Sequence, residues 1–96
     1  MKQITIDGNM LADAEKCHDY LQEMLAFPEY YGKNLDALYD CLTDFEDMEI
    51  IITLPEEGRE ICQNILRVMR AAERENDALK IVIEGAMFTK ENNSLP

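Results

Sequence analysis

Between positions 30 and 44 the chain gathers the residues whose types and spacing could do chemistry: Tyr30, Tyr31, Asn34, Asp36, Tyr39, Asp40 and Asp44. Asp36, Asp40 and Asp44 follow one another at i, i+4, which on a helix places three carboxylates along one face. Such a row is a set of fixed acceptors for guanidinium and ammonium groups. Tyrosines beside it supply large contact area at small entropic cost, as protein interfaces favour. The chemistry this pattern suits is recognition of a cationic surface, not bond-making. The plain alternative is a solvated acidic face with loop aromatics packed onto the core.

Residues for catalysis are sparse. His18 is the sole histidine and borders the apolar stripe of its helix. Its neighbour Cys17 diverges from it by about 100° on a helix, so the two do not form a nucleophile–base pair. Cys41 has no identifiable activating base. Three cysteines, Cys17, Cys41 and Cys62, lack the spacing of a zinc site or a disulfide framework. The aspartate row lacks the loop glycine of a calcium site, and the four glycines are isolated, with no phosphate-cradling loop. No catalytic residue, cofactor or metal is expected, and the chain reads as a non-enzyme.

Charge points the same way. Twenty Asp and Glu against nine Lys and Arg give a net −11. Phosphate neutralisation requires cations, so direct nucleic-acid binding is disfavoured, as is an anionic membrane surface. The excess is localised: residues 29–49 hold seven acidic side chains against Lys33 alone, a net −6 in fewer than a quarter of the residues. Like charges at i, i+4 cost about 0.2–0.5 kcal/mol per pair. The helix dipole favours Asp36 near the N-terminus and disfavours Asp40 and Asp44 nearer the C-terminus. Lys33 is the one base near enough to offset a carboxylate. Local rules broken without local compensation often mark a functional site.

The elements that must position these residues read as follows. Lys2 to Ile6 alternates as a short strand and turns at Asp7-Gly8. Asp13 reads as an N-cap for a helix with Ala14, Cys17, Leu21, Met24 and Leu25 on its apolar stripe, stopped by Pro28. A second helix places Leu35, Leu38, Leu42 and Phe45 toward the core, with Tyr39 at the seam between its faces. Glu49 to Leu54 is a buried strand closed by Pro55. Ile61, Ile65, Val68, Met69 and Ala72 mark a longer helix, with room for a short one after Pro55. Leu79 to Glu84 is a third strand, ended by Gly85. Helical crossovers between short strands predict an α/β fold: a small, two-layer, three-stranded parallel sheet with three to four helices. The domain is expected over residues 1–85, with 86–96 a flexible C-terminal tail. The N-terminal segment has no apolar core of a secretory signal, and no apolar run approaches a membrane span. A cytoplasmic protein, monomeric when unbound, is expected.

The string Pro28-Glu29-Tyr30-Tyr31-Gly32-Lys33-Asn34-Leu35-Asp36-Ala37-Leu38-Tyr39-Asp40-Cys41-Leu42-Thr43 closely resembles the barstar family of intracellular ribonuclease inhibitors. Weaker similarity runs from the first strand to the third. The resemblance implies a three-stranded parallel sheet with helices, and a protein that plugs the active site of a basic, barnase-like secreted ribonuclease or a related toxin. It places the partner-binding surface on Tyr30, Asn34, Asp36, Tyr39 and Asp40. The family residue at Asp40 enters the enzyme's phosphate pocket, and that at Asp36 contacts basic groups beside it. Tyr30 is implied to pack on the rim, and Asn34 to meet a recognition loop. Asp44, where the best-known member has glycine, adds a charge to this surface, and Tyr39 stands where that member has tryptophan. The family's acidic contact in the later helix aligns with Ala71. Glu73, two positions on, lies about 200° around the helix and does not replace it. The alternative is a barstar-like interaction or immunity module that binds another basic partner.

Overall fold

Three strands pair in parallel register in a computed structural model, which describes residues 2–55 and 59–84. β1 (Lys2–Asp7), β2 (Met48–Thr53) and β3 (Leu79–Glu84) lie in the order β1-β2-β3. Ile4 pairs with Ile50 and Ile50 with Ile81, and Ile6 with Ile52 and Ile52 with Ile83, so alternation aims one β-branched row after another at one face. Ile6, Ile50, Ile52 and Ile81 are buried there, each worth about 1.5–3 kcal/mol of transfer free energy. The opposite face is polar at one end, where Gln3 donates to Glu49 at 2.8 Å and Lys80 pairs with Glu49 at 3.9 Å. The expected α/β architecture with a three-stranded parallel sheet is therefore present.

Three helices cover the buried face: α1 (Cys17–Leu25), α2 (Leu35–Thr43) and α3 (Arg59–Glu75). Leu21, Leu38, Leu42, Ile65 and Met69 join the strand isoleucines in one core. α2 makes its closest backbone approach to α3. Its outer face therefore projects from the molecule. Among the described residues no charged side chain is buried, so the whole acidic excess of this region is at the surface.

Four details depart from the sequence expectations. The Asp7-Gly8 turn extends into a 3₁₀ segment, Gly8–Leu11, which buries Leu11 completely. Asp7 Oδ1 accepts from the Asn9 amide at 2.9 Å to start it. A Cβ on Gly8 would lie 1.9 Å from the Thr53 carbonyl oxygen, so this crossing over β2 excludes every side chain. Asp13 caps only a turn: its carboxylate accepts from Glu15 and Lys16 amides, and α1 begins at Cys17. Met24, expected on the stripe, is 37% exposed, although it lies about 20° from the buried Cys17 on the wheel.

Leu35 is likewise 38% exposed where the core was expected. Its angle suits the core, but it opens the helix, ahead of the buried Leu38 and Leu42, and Phe45 follows the helix end, half-buried. The expected short helix after Pro55, Gly85 and the tail 86–96 fall outside the described residues. Among those described, no helix is long and apolar enough to cross a membrane.

Candidate functional site: the acidic helix and its loop

α1 ends at Leu25, three residues before Pro28, because the residue ahead of a proline avoids helical backbone. Ala26 leaves through the left-handed region at φ 57°, and Phe27 donates back to the Gln22 carbonyl at 3.0 Å. Gln22 Nε2 then donates to the Pro28 carbonyl at 2.8 Å, and the Tyr31 amide donates to the same carbonyl at 3.0 Å. This turn separates the two tyrosines. Tyr31 is buried against Phe27, ring centroids 4.8 Å apart, with its hydroxyl 2.7 Å from His18 Nδ1. Tyr30 is 87% exposed. One tyrosine anchors the loop so that the other can be presented.

His18 is thereby a structural partner. Burial pulls its imidazole below the ordinary 6.5, against the opposing Asp19 carboxylate. Burial raises the Tyr31 phenol, and the Cys41 and Cys17 thiols add to that rise. Both groups are held neutral in the loop's foundation.

Lys33, the base that stood nearest the carboxylates in sequence, turns away from them. With φ 55° it pairs Nζ with Asp19 of α1 at 2.7 Å. Asn34 caps α2: its Oδ1 accepts from the Ala37 amide at 2.7 Å, and its Nδ2 donates to the Gly32 carbonyl at 3.3 Å. The residue is exposed, but its amide already has partners on both sides. Asp36 stands in the first turn and Asp40 one turn on, both exposed, and Asp44 closes the helix as its C-cap. Tyr39 is half-buried against the core. Among the described residues no cation pairs with Asp36, Asp40 or Asp44.

Tyr30, Asp40 and Asp44 share a groove of about 320 Å³ with Leu25, Ala26, Phe27, Pro28, Cys41 and Phe45. Its floor is apolar and its rim carries the two carboxylates. The walls of the groove come from the α1 exit and the α2 C-terminus, which no sequence pattern links. The left-handed Ala26 has no sequence signature. Burial, and then the Asp44 and Asp40 carboxylates, push the Cys41 thiol up, so the groove holds no activated nucleophile. Among the described residues no three His, Cys, Asp or Glu side chains converge on a metal position.

The model of the family described as Barstar (barnase inhibitor) matches residues 1–87. The chain belongs to the barstar family. A curated relative from Bacillus subtilis (strain 168), named "Putative ribonuclease inhibitor YrdF", is 38% identical over 91 residues, covering 88% of this chain and all of the relative. The barstar match thus spans the whole acidic segment and α3 as well.

On α3 lies Ala71, the position that the resemblance aligns with the family's acidic contact. Ala71 is half-buried and carries no acid. Glu73 is committed elsewhere: Oε2 accepts from the Ile81 amide at 2.7 Å and Oε1 from Arg70 at 3.0 Å. Arg70 also donates to the Ile81 carbonyl at 3.1 Å. The pair closes the outer edge of β3 at Ile81, where an open edge would invite pairing with other chains.

Proposed function

We propose that this barstar-family chain inhibits a basic ribonuclease by occupying its active site with α2 and the loop before it, without chemistry of its own. A pocket that stabilises phosphate presents converging cations, and carboxylates on a fixed helix satisfy them without being cleaved. Asp40 takes the phosphate position and Asp36 the basic groups beside it. Tyr30 packs on the rim with Tyr39 alongside, Asn34 meets the enzyme through its exposed edge, and Asp44 adds a second carboxylate at the groove. The observation that carries the reading is the exposed Asp36 and Asp40 on a capped helix whose neighbouring lysine is bound to Asp19 instead. Complementary fields speed encounter and weaken with salt. A monomeric, cytoplasmic inhibitor with its domain over residues 1–85 fits this role. The test is titration of the chain against a panel of secreted basic ribonucleases at low salt. Inhibition that is lost on Asp40→Ala supports the reading, and no inhibition of any of them rejects it.

A second reading is favoured by Ala71 and by the engagement of Glu73 with Arg70 and Ile81. It is a barstar-like immunity module whose basic partner is a toxin other than a barnase-like ribonuclease. Co-purification separates the two, because the recovered partner either cleaves RNA or does not.

A further inference from the structure

A helix leaves its last four carbonyls without partners inside the helix. At the C-terminus of α2 the Thr43 hydroxyl donates to the Asp40 carbonyl at 2.9 Å, the Asp44 amide to the Cys41 carbonyl at 3.2 Å and the Phe45 amide to the Leu42 carbonyl at 3.4 Å, and one side chain distant in sequence adds to them. Asn76, in the turn between α3 and β3, points its Nδ2 at three carbonyl oxygens: Phe45 at 2.8 Å, Leu42 at 3.2 Å and Thr43 at 3.2 Å. An amide has two hydrogens, so Phe45 takes one and the two helix carbonyls share the other. The same side chain uses Oδ1 to accept from the Ala78 amide at 3.0 Å, which shapes the turn. Ala78 in turn accepts from the Met48 amide at 2.9 Å, where β2 begins. One half-buried asparagine thus ties the end of α2 to the start of β2 and β3.

From this geometry we infer that Asn76 is a positioning residue for the acidic face, a clamp that holds the last turn of α2 and with it Asp40 and Asp44. The inference rests on the reading of α2 as the binding helix. Asn76 need not touch a partner to act. α2 makes its closest backbone approach to α3, and beyond the burial of Leu42 the long-range polar tie on its C-terminal turn among the described residues is Asn76. The N-terminal half is held separately by the Asn34 cap, and Tyr30 by the Tyr31 anchor. The effect of Asn76 is therefore confined to the C-terminal carboxylates. A partner that needs the ordered turn binds with an affinity reduced by the fraction of time the turn is formed.

Two variants test the donor: Asn76→Ala removes both roles, whereas Asn76→Asp keeps the Oδ1 acceptor for Ala78 and turns the Nδ2 donor into a carboxylate oxygen that repels the three carbonyls. In the free full-length chain, both are expected to lower hydrogen-exchange protection of the 41–44 amides about tenfold relative to those of α1 and the sheet, the scale of one lost hydrogen bond. With a basic ribonuclease that the wild-type chain inhibits, Asn76→Ala should speed dissociation about tenfold and leave association within about twofold, because no charge changes. Its effect should be non-additive with Asp40→Ala and additive with Tyr30→Ala. Unchanged relative exchange at 41–44, or equal coupling to Asp40 and Tyr30, overturns the inference, since a general loss of stability would couple to both alike. If the wild-type chain inhibits no ribonuclease, the ribonuclease reading falls alone, and the exchange measurement still decides whether Asn76 orders the turn.

Discussion

Replacing Asp40 by asparagine should stabilise the free chain while weakening its complex. Asp40 is exposed, lies one turn from Asp36 and one from Asp44, and has no cation among the described residues. Removing its charge relieves two i, i+4 repulsions at about 0.2–0.5 kcal/mol each. It also relieves a dipole penalty of about 0.3 kcal/mol near the C-terminal half of the helix. Asparagine and aspartate have similar helix propensity, so the backbone contributes little. The sum is a gain of about 0.7–1.3 kcal/mol at low ionic strength. For a domain of this size that raises Tm by about 3–10 °C. The assay is urea unfolding of wild type and Asp40→Asn at low and high salt, with the midpoint read at constant slope. The gain should shrink as salt rises, because exposed charges are screened within about 10 Å at 0.1 M. Binding should move the other way, with Asp40→Asn costing about 2–5 kcal/mol toward an inhibited ribonuclease, mostly in dissociation. A neutral or destabilising substitution at low salt would refute the reasoning, for it would mean that the carboxylate already has a favourable local partner.

Gly8→Ala should cost more than about 2 kcal/mol in urea unfolding, since the added carbon has nowhere to go beside the Thr53 carbonyl. Glu73→Ala should cost about 1–3 kcal/mol by leaving the Ile81 amide without its acceptor, and should leave ribonuclease inhibition within about twofold. The His18 imidazole sits below 6.5 when folded, so the unfolded chain takes up its proton first as pH falls. His18 therefore contributes full stability above pH 6.5 and loses it as pH drops below, and His18→Gln should flatten that slope in unfolding titrations between pH 7 and 5.

Strand and helix order was legible because the signals were local. Alternation in Lys2 to Ile6, the Ile-Ile-Ile run of β2 and the period of Ile65, Met69 and Ala72 each report burial directly. The acidic face was legible for a related reason, since i, i+4 spacing alone puts Asp36, Asp40 and Asp44 together. What failed to show were properties of ends and of pairs distant in sequence. Leu35 has the right angle and the wrong position along the helix. Lys33 was close to the carboxylates in sequence, but its left-handed backbone carries it to Asp19. The groove needs Ala26 from one helix exit and Phe45 from another, and Asn76 reaches back 31 residues to Phe45. No period or motif encodes such contacts.

The chemistry of the two clamps bears on why the acidic helix can stay acidic. The loose carbonyls at a helix C-terminus are commonly met by lysine, arginine or histidine, which also suit the negative end of the dipole. A cation there would sit beside Asp40 and Asp44 and cancel the field that a basic partner must feel. Asparagine supplies the donors without the charge. At the other end Asn34 accepts from the Ala37 amide without adding a fourth carboxylate to the row. The one lysine of the segment is drawn off to Asp19, where it fastens the loop to α1 and leaves the carboxylates uncompensated. Neutral amides thus hold both ends of a helix that electrostatics alone would loosen. On the proposed reading, the repulsion along Asp36, Asp40 and Asp44 would be released when a cationic surface docks, so the free helix carries a strain that a basic partner relieves.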